Sequence, residues 1–314
     1  MSEGGAAERN KQQSTKTALL AAALAAALFM CMDATAKSLA SRFDALQLTF
    51  LRFAAGSMFA LPLWAWFRTA MPARASWPLH TLRSVLLLFA LLGWFHALTR
   101  LPLVQAVAVG YTAPLFISVL AILILKERPS RWIWASLALG GAGAIVALWP
   151  EWTAVSAPTG GLSARQPLDA SHSAAHGPAR LAGMAAAGAS AVAYAGVVVL
   201  ARHQAQRDAL WTILLVQNLL PLLLLAAPAA ARWAPMTLAD LPQVLLLGAF
   251  ATGGLLAITW AFTHIEASCA APMEYTGLVW AALLGYGLFG EMPSVWSLAS
   301  VTLIITGCLL LLRR

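Results

Sequence analysis

The sequence predicts an all-α integral membrane protein of ten transmembrane helices, built as two inverted five-helix repeats. Three observations predict it. Hydrophobic residues make up 61% of the 314-residue chain and charged residues only 10%, far below the ~25% charge that covers a soluble surface. The apolar residues fall into ten runs, at 17–37, 45–66, 82–99, 103–125, 131–149, 181–201, 209–230, 240–259, 265–289 and 294–312, most of them near the ~20 residues that cross a bilayer as a helix. Finally, the stretch from Thr99 to Leu148 recurs 164 residues later without a gap, with fourteen of fifty positions identical.

Residues 1–16 are polar and carry Arg9, Lys11 and Lys16, as expected of a short cytoplasmic tail. The first run is almost pure Ala and Leu and ends near Ala34-Thr35-Ala36. A secretory leader has similar ingredients, but nine more spans follow, so a first spanning helix is the simpler reading. Each run must be a helix, because hydrocarbon offers no partners for backbone amides. Short Pro, Arg and Ser loops divide most runs. One connection is long: residues 150–180, rich in Ala, Ser, Gly and Pro, read as a flexible linker. The expected units are therefore a first five-helix repeat at 17–149 and a second at 181–312.

The repeat places Tyr111-Thr112 on Tyr275-Thr276, Glu127 on Glu291, Pro129-Ser130 on Pro293-Ser294, Trp132 on Trp296 and Gly143 on Gly307. With the amino terminus inside, cytoplasmic segments hold thirteen Lys and Arg residues, Arg83 among them, and external segments hold six. This bias expects both termini in the cytoplasm. A five-helix unit crosses the membrane an odd number of times, so its second copy starts from the opposite side. The copies are then related by a two-fold axis in the membrane plane, and such a plan puts a binding site near the midplane between them.

The net charge of +8 is not a nucleic-acid footprint, because the basic residues lie between apolar runs as topology signals do. Cys31, Cys269 and Cys308 all fall inside apolar runs with no Cys-x-x-Cys or Cys/His spacing, so neither a metal site nor a disulfide is expected. No zinc-protease, phosphate-loop or nucleophile-elbow motif is present, so neither enzyme chemistry, nor direct ATP drive, nor a cofactor is expected.

Ten helices in two homologous fives, with Glu127…Trp132…Gly143 and Glu291…Trp296…Gly307 after the fourth helix of each half, resemble the EamA family of the drug/metabolite transporter superfamily. Met32 to Lys37 late in the first helix, and Arg52 in the second, resemble the first half of that family. The second half departs from it: the position mirroring Arg52 is near Gln217, and no acid mirrors Asp33. The resemblance implies a bacterial inner-membrane carrier of a small metabolite. Separately, the small-residue runs at Gly140–Gly143 and Ala185–Ala189 allow close helix packing, in a monomer or a homodimer within the lipid bilayer. It also implies coupling to protons or transport down a gradient. An amino-acid-like cargo, exported against protons, is the expected one. Uptake of a vitamin-like solute such as riboflavin, flipping of a lipid-linked cargo, and a non-transporting scaffold are the alternatives.

Glu274 is the expected proton carrier. It is read about ten residues into the ninth helix, beside Tyr275, with no basic residue within a turn. A carboxylate at that depth costs about 2.5–3.5 kcal/mol on insertion scales, so it faces the bundle interior or a cavity. A protonated structural carboxyl is the alternative. The mirrored Tyr111 and Tyr275 could clasp a substrate from both sides or simply pack repeat on repeat. Asp33, four residues from Lys37, could pair with it or rim the cavity. Arg52 could hold an anionic group bidentately or tie two helices together. His96 and its mirror Trp260 suit the wall of an apolar cavity, with a core histidine as the alternative. Gln217, polar in an apolar run, reads as a substrate contact or an interhelical bond. Trp132 and Trp296 read as interfacial anchors, and Glu127 and Glu291 as capping and topology marks.

Overall fold

A computed structural model describes residues 3–40, 42–100, 109–156, 178–289 and 295–312. Ten helices occupy the ten expected runs: α1 (Glu3–Leu39), α2 (Ala45–Phe67), α3 (Trp77–Arg100), α4 (Ala113–Leu125), α5 (Arg131–Ser156), α6 (Pro178–Ala205), α7 (Leu210–Ala230), α8 (Leu241–His264), α9 (Thr276–Phe289) and α10 (Val295–Leu312). Six of them, α1–α3 and α6–α8, are long and apolar enough to cross a membrane, by the described residues. Large apolar side chains such as Leu20, Met58, Leu123, Leu181 and Leu223 are exposed, as a lipid-facing surface allows.

Local chemistry sets several ends. Asp44 caps α2 by accepting the Gln47 N–H at 2.7 Å. Two helices stop on left-handed residues, α2 at Arg68 (φ 47°) and α4 at Lys126 (φ 56°). The Lys126 N–H returns to the Ala121 carbonyl, which satisfies one of the last-turn acceptors. The first helix differs from expectation: residues 3–16 continue α1 rather than forming a separate tail.

The main contacts cross between the halves and come in mirror pairs. The first helix of one half packs on the third of the other, as α1 on α8 and α6 on α3. The second helices meet as α2 on α7, and the fifth as α5 on α10. The duplicated glycines explain themselves here. A Cβ on Gly143 would lie 2.8 Å from Ile304, and one on Gly307 would lie 3.1 Å from the Ser136 carbonyl. At this crossing Ser136 Oγ donates to the Gly307 carbonyl at 2.8 Å.

Inversion is visible in two matching contacts at opposite ends. At the start of α7, Thr212 Oγ1 donates to the Ala70 carbonyl at 2.7 Å, in the turn after α2. At the start of α2, Gln47 exchanges two hydrogen bonds with Ala234, in the turn after α7. Equivalent turns of the two halves therefore lie at opposite ends of the bundle.

One expectation fails. The ninth run is not a single helix over 265–289. Ile265 is extended, Ala267–Ala270 make one helical turn, Ala271–Tyr275 form a 3-10 turn, and only then does α9 begin. Pro272 lacks the N–H that would continue the ladder, and the small apolar residues around it hide the break from any hydropathy reading. Glu274 consequently sits in the 3-10 turn before α9 and not ten residues into a helix. The described part of the fourth run breaks in the mirror place: Gly110 is helical, Tyr111-Thr112 form a turn, and α4 starts at Ala113. Residues 101–108, most of the expected linker (157–177) and the Glu291 loop lie outside the described residues, as does the Lys37 side chain.

The end opposite Glu127 is tied by charge. Asp240 accepts from Thr237 N and Oγ1 at 2.8 and 2.7 Å and pairs with Arg42 of the α1–α2 turn. The Thr237 hydrogen bonds, with Arg42 adding to them, hold the Asp240 carboxyl below its usual range. Such a group stabilises the fold above its unfolded value, near 3.9, and that contribution disappears as pH falls through its lower folded value. Asp240→Asn should therefore melt below the wild type at pH 7, and the gap should shrink as pH drops below about 4. Fluorescence-detected melts of purified protein across that range check this.

Candidate functional site

The two helix breaks meet at the middle of the bundle and bring their tyrosines together. Tyr111 and Tyr275 stack with ring centroids 5.8 Å apart and planes 30° apart. Tyr275 is buried, and its hydroxyl has no protein partner. Its ring lies so close to α5 that a Cβ on Gly140 would sit 2.2 Å from it. Tyr111 lies half-buried against the same core, with its hydroxyl near Gly277.

Glu274 precedes Tyr275 and is half-buried. Tyr194 of α6 donates its hydroxyl to Glu274 Oε1 at 3.3 Å. In the first half the equivalent position is Gly110. A Cβ there would meet the Trp94 ring at 2.8 Å, so α3 fills the space that an acid would need. The asymmetry of the repeats is thus steric as well as chemical: one half presents a carboxylate and the other an indole.

Asp33 of α1 and Arg52 of α2 face this centre. Each lies within electrostatic reach of the other and of Tyr194, and Asp33 also of Tyr111, yet no ion pair at contact distance joins them. Arg52 Nε approaches Met32 Sδ at 3.1 Å, and the guanidinium lies 4.8 Å from the Phe53 ring centroid. Its Nη1 is buried with no acceptor. Trp260 of α8 borders the same core cluster as Tyr111 and Tyr194 and packs on His264 at 4.4 Å.

Two expected residues do not join this group. His96 is exposed on α3. Gln217 is buried in α7, where neither amide atom has a partner; no hydrogen bond or ring contact links it to the tyrosines. Tyr194 is the residue that sequence reasoning passed over. It is one of four tyrosines, and its place inside the apolar run of α6 was the available signal. Arg83, counted among cytoplasmic charges, is buried in α3 with only 2% exposure.

Glu127 proves to be a cap, though not of its own helix. Its two carboxylate oxygens accept the Ala267 and Ser268 N–H groups, each at 3.0 Å. These are the first amides of the turn that leads to Glu274 and Tyr275. Arg202 of α6 lies 3.9 Å from the same carboxylate and donates to the Phe262 carbonyl, which Gln206 also reaches at 2.9 Å. A polar cleft of about 450 Å³ opens beside this joint, lined by Lys126, Arg128, His203 and Glu266 among others. A second groove, of about 200 Å³ between α1 and α10, is lined by apolar side chains and by Thr276. Among the described residues no cluster of three metal-ligating side chains occurs.

The S-adenosylmethionine uptake transporter of Rickettsia bellii is 24% identical over 89% of this chain and 88% of its own. The Pseudopaline exporter CntI of Pseudomonas aeruginosa is 27% identical over 95% of this chain and 96% of its own. The riboflavin transporter of Rhizobium johnstonii is 26% identical over 87% and 82%. A solved crystal structure shares the fold with a TM-score of 0.68, at 21% identity over 96% of both chains. The EamA-like transporter family matches residues 16–149 and again 181–313, nearly the whole of both halves, and the chain belongs to that family.

Proposed function

We propose that this chain is a secondary-active carrier of the bacterial inner membrane, with both termini cytoplasmic. It exports a small amphipathic, amino-acid-like metabolite in exchange for protons. The observation that carries the reading is the Tyr111–Tyr275 stack between the halves with Glu274 beside it. Stacked rings hold a flat or apolar body, and convergent polar groups orient it. Arg52 suits a carboxylate through its forked donors, while Asp33 and Glu274 suit an ammonium. Glu274 alternates between proton and cargo as the halves rock about the shared axis. Contacts at both ends, Glu127 to Ala267–Ser268 and Gln47 to Ala234, are what such rocking would break in turn.

The same stack supports a second reading, uptake of a flat vitamin-like solute such as riboflavin, in which the ring system fills the tyrosine clasp. A lipid-linked cargo has less support, because the groove between α1 and α10 includes neither tyrosine nor Glu274. The deciding experiment is transport by proteoliposomes, with and without an imposed pH gradient, of radiolabelled tyrosine, S-adenosylmethionine and riboflavin. Gradient-driven movement of an amino-acid-bearing probe is expected. Riboflavin movement alone favours the second reading, and movement of none that responds to the gradient overturns the proton-coupled carrier.

A further inference from the structure

Among the described residues Arg83 is the largest fully buried side chain, and it is a guanidinium. It stands six residues into α3, about 9 Å along the axis from the helix start. The face of α3 that carries it packs on α6, where it meets Gln204. A guanidinium so placed would ordinarily reach the bundle end, but this one does not snorkel. A buried cation without a counter-ion costs several kcal/mol, and a helix has no packing need for it.

Its partners do not supply that counter-ion. Nη1 donates to Gln204 Oε1 at 2.8 Å, a neutral acceptor, and Nε has no acceptor. Asp208, the acid that His80 meets, is already engaged: His80 reaches Oδ2 at 3.1 Å and Ser76 donates to Oδ1 at 3.3 Å. His80 itself is fully buried. The other charged or titratable group near Arg83 is Tyr194, which holds Glu274.

Three of the unfilled groups share one chemistry. Arg83 Nε, Gln204 Nε2, Ser84 Oγ and His80 Nδ1 are buried without partners. Arg83 Nε and Gln204 Nε2 can only donate, and the Ser84 hydroxyl can present a proton; His80, whose Nε2–H serves Asp208, offers Nδ1 as an acceptor. The other acceptors of the cluster, Gln204 Oε1 and the Asp208 carboxylate, are already used. A cation ringed by free donors takes an acceptor-only anion, and a carboxylate accepts at both oxygens.

We propose that Arg83, with Gln204 and Ser84, forms a second anion station, which takes the carboxylate of the cargo between the Glu127 end and the Tyr194–Glu274 centre. The proposal rests on the carrier reading above and adds to it a stepwise route, from one guanidinium at Arg83 to another at Arg52.

The test uses full-length protein in detergent and sodium benzoate as a carboxylate on an apolar body, with chloride keeping ionic strength constant. Benzoate should raise the melting temperature saturably, by a few degrees. Benzamide, of the same shape without the charge, should not. Arg83→Gln should weaken the benzoate response at least tenfold, whereas Arg52→Gln should keep the larger part of it. Arg83→Lys, which retains charge and loses the fork, should weaken it less and serves if the Gln variant does not fold. An absent benzoate response, an equal response in the Arg83 variants, or loss confined to Arg52→Gln overturns the proposal. Sulfate acting as well as benzoate marks a general inorganic-anion site and overturns the cargo assignment. The benzoate titration reads the station and gradient-driven transport in proteoliposomes reads proton coupling, so a failure of either is seen separately.

Discussion

Glu274→Gln is expected to fold, to reach the membrane in normal amount and to lose gradient-driven transport by at least about 100-fold, a barrier rise of ~2.7 kcal/mol or more. The substitution keeps size and shape. The Tyr194 hydroxyl, 3.3 Å from Oε1, retains a carbonyl acceptor, so the hydrogen bond between α6 and the 3-10 turn survives. Only the exchangeable proton is removed. A carboxyl in the bundle interior is costly to keep, and no ion pair at contact distance offsets it. Downhill counterflow of the same cargo should persist in the variant, because rocking of the halves does not itself need the proton. Tyr194→Phe is the control: it removes the hydrogen bond but keeps the carboxyl, and so keeps coupling. Proteoliposome uptake at matched protein content, with and without a pH gradient, reads all three. Wild-type gradient response in Glu274→Gln would remove the proton role.

How much of this was legible in the chain differs by element. The helices were, because apolar runs of spanning length leave few alternatives in lipid. The pairing of the tyrosines was too, since the duplication sets Tyr111 and Tyr275 in register and inversion brings equivalent positions to the centre. The break before α9 was not. Ala267 to Ala271 are as apolar as a helix interior, and the groups that satisfy the freed amides come from Glu127, 140 positions away. Tyr194 was invisible for a related reason: nothing in the apolar run of α6 says which face meets Glu274. Arg83 was misplaced because counting charges at run ends cannot distinguish a loop residue from one turned inward against Gln204. His96 is placed differently from Trp260. The mirror of Trp260 was expected in the wall, but the inward positions of α3 are taken by Trp94 and by the face that meets α6.

Glu127→Ala is expected to lower stability by about 2–4 kcal/mol, the largest loss among single substitutions outside the site. The loss comes from the two N–H groups left behind. Ala267 and Ser268 are fully buried, and each orphaned donor costs about 1–3 kcal/mol, less what water entering from the adjacent cleft restores. The Arg202 contact at 3.9 Å adds little, since a partly exposed pair contributes about 0–1 kcal/mol. Glu127→Gln keeps one acceptor and loses the charge, so it should fall between the wild type and Ala. Arg202→Ala alone should cost less than either. Detergent titration or thermal melting of the purified variants gives the order. The same variants test whether the cap also sets function. Ala267 and Ser268 begin the segment that ends in Glu274 and Tyr275, so freeing its start should let the tyrosine clasp drift. Transport per folded molecule should then fall with the order Glu127→Ala below Glu127→Gln below wild type. An alanine variant that melts with the wild type would mean that the backbone of Ala267 and Ser268 finds other partners, and the joint between the halves would have to be sought elsewhere at that end. If stability falls but transport per folded molecule does not, Glu127 holds the bundle together without positioning the site.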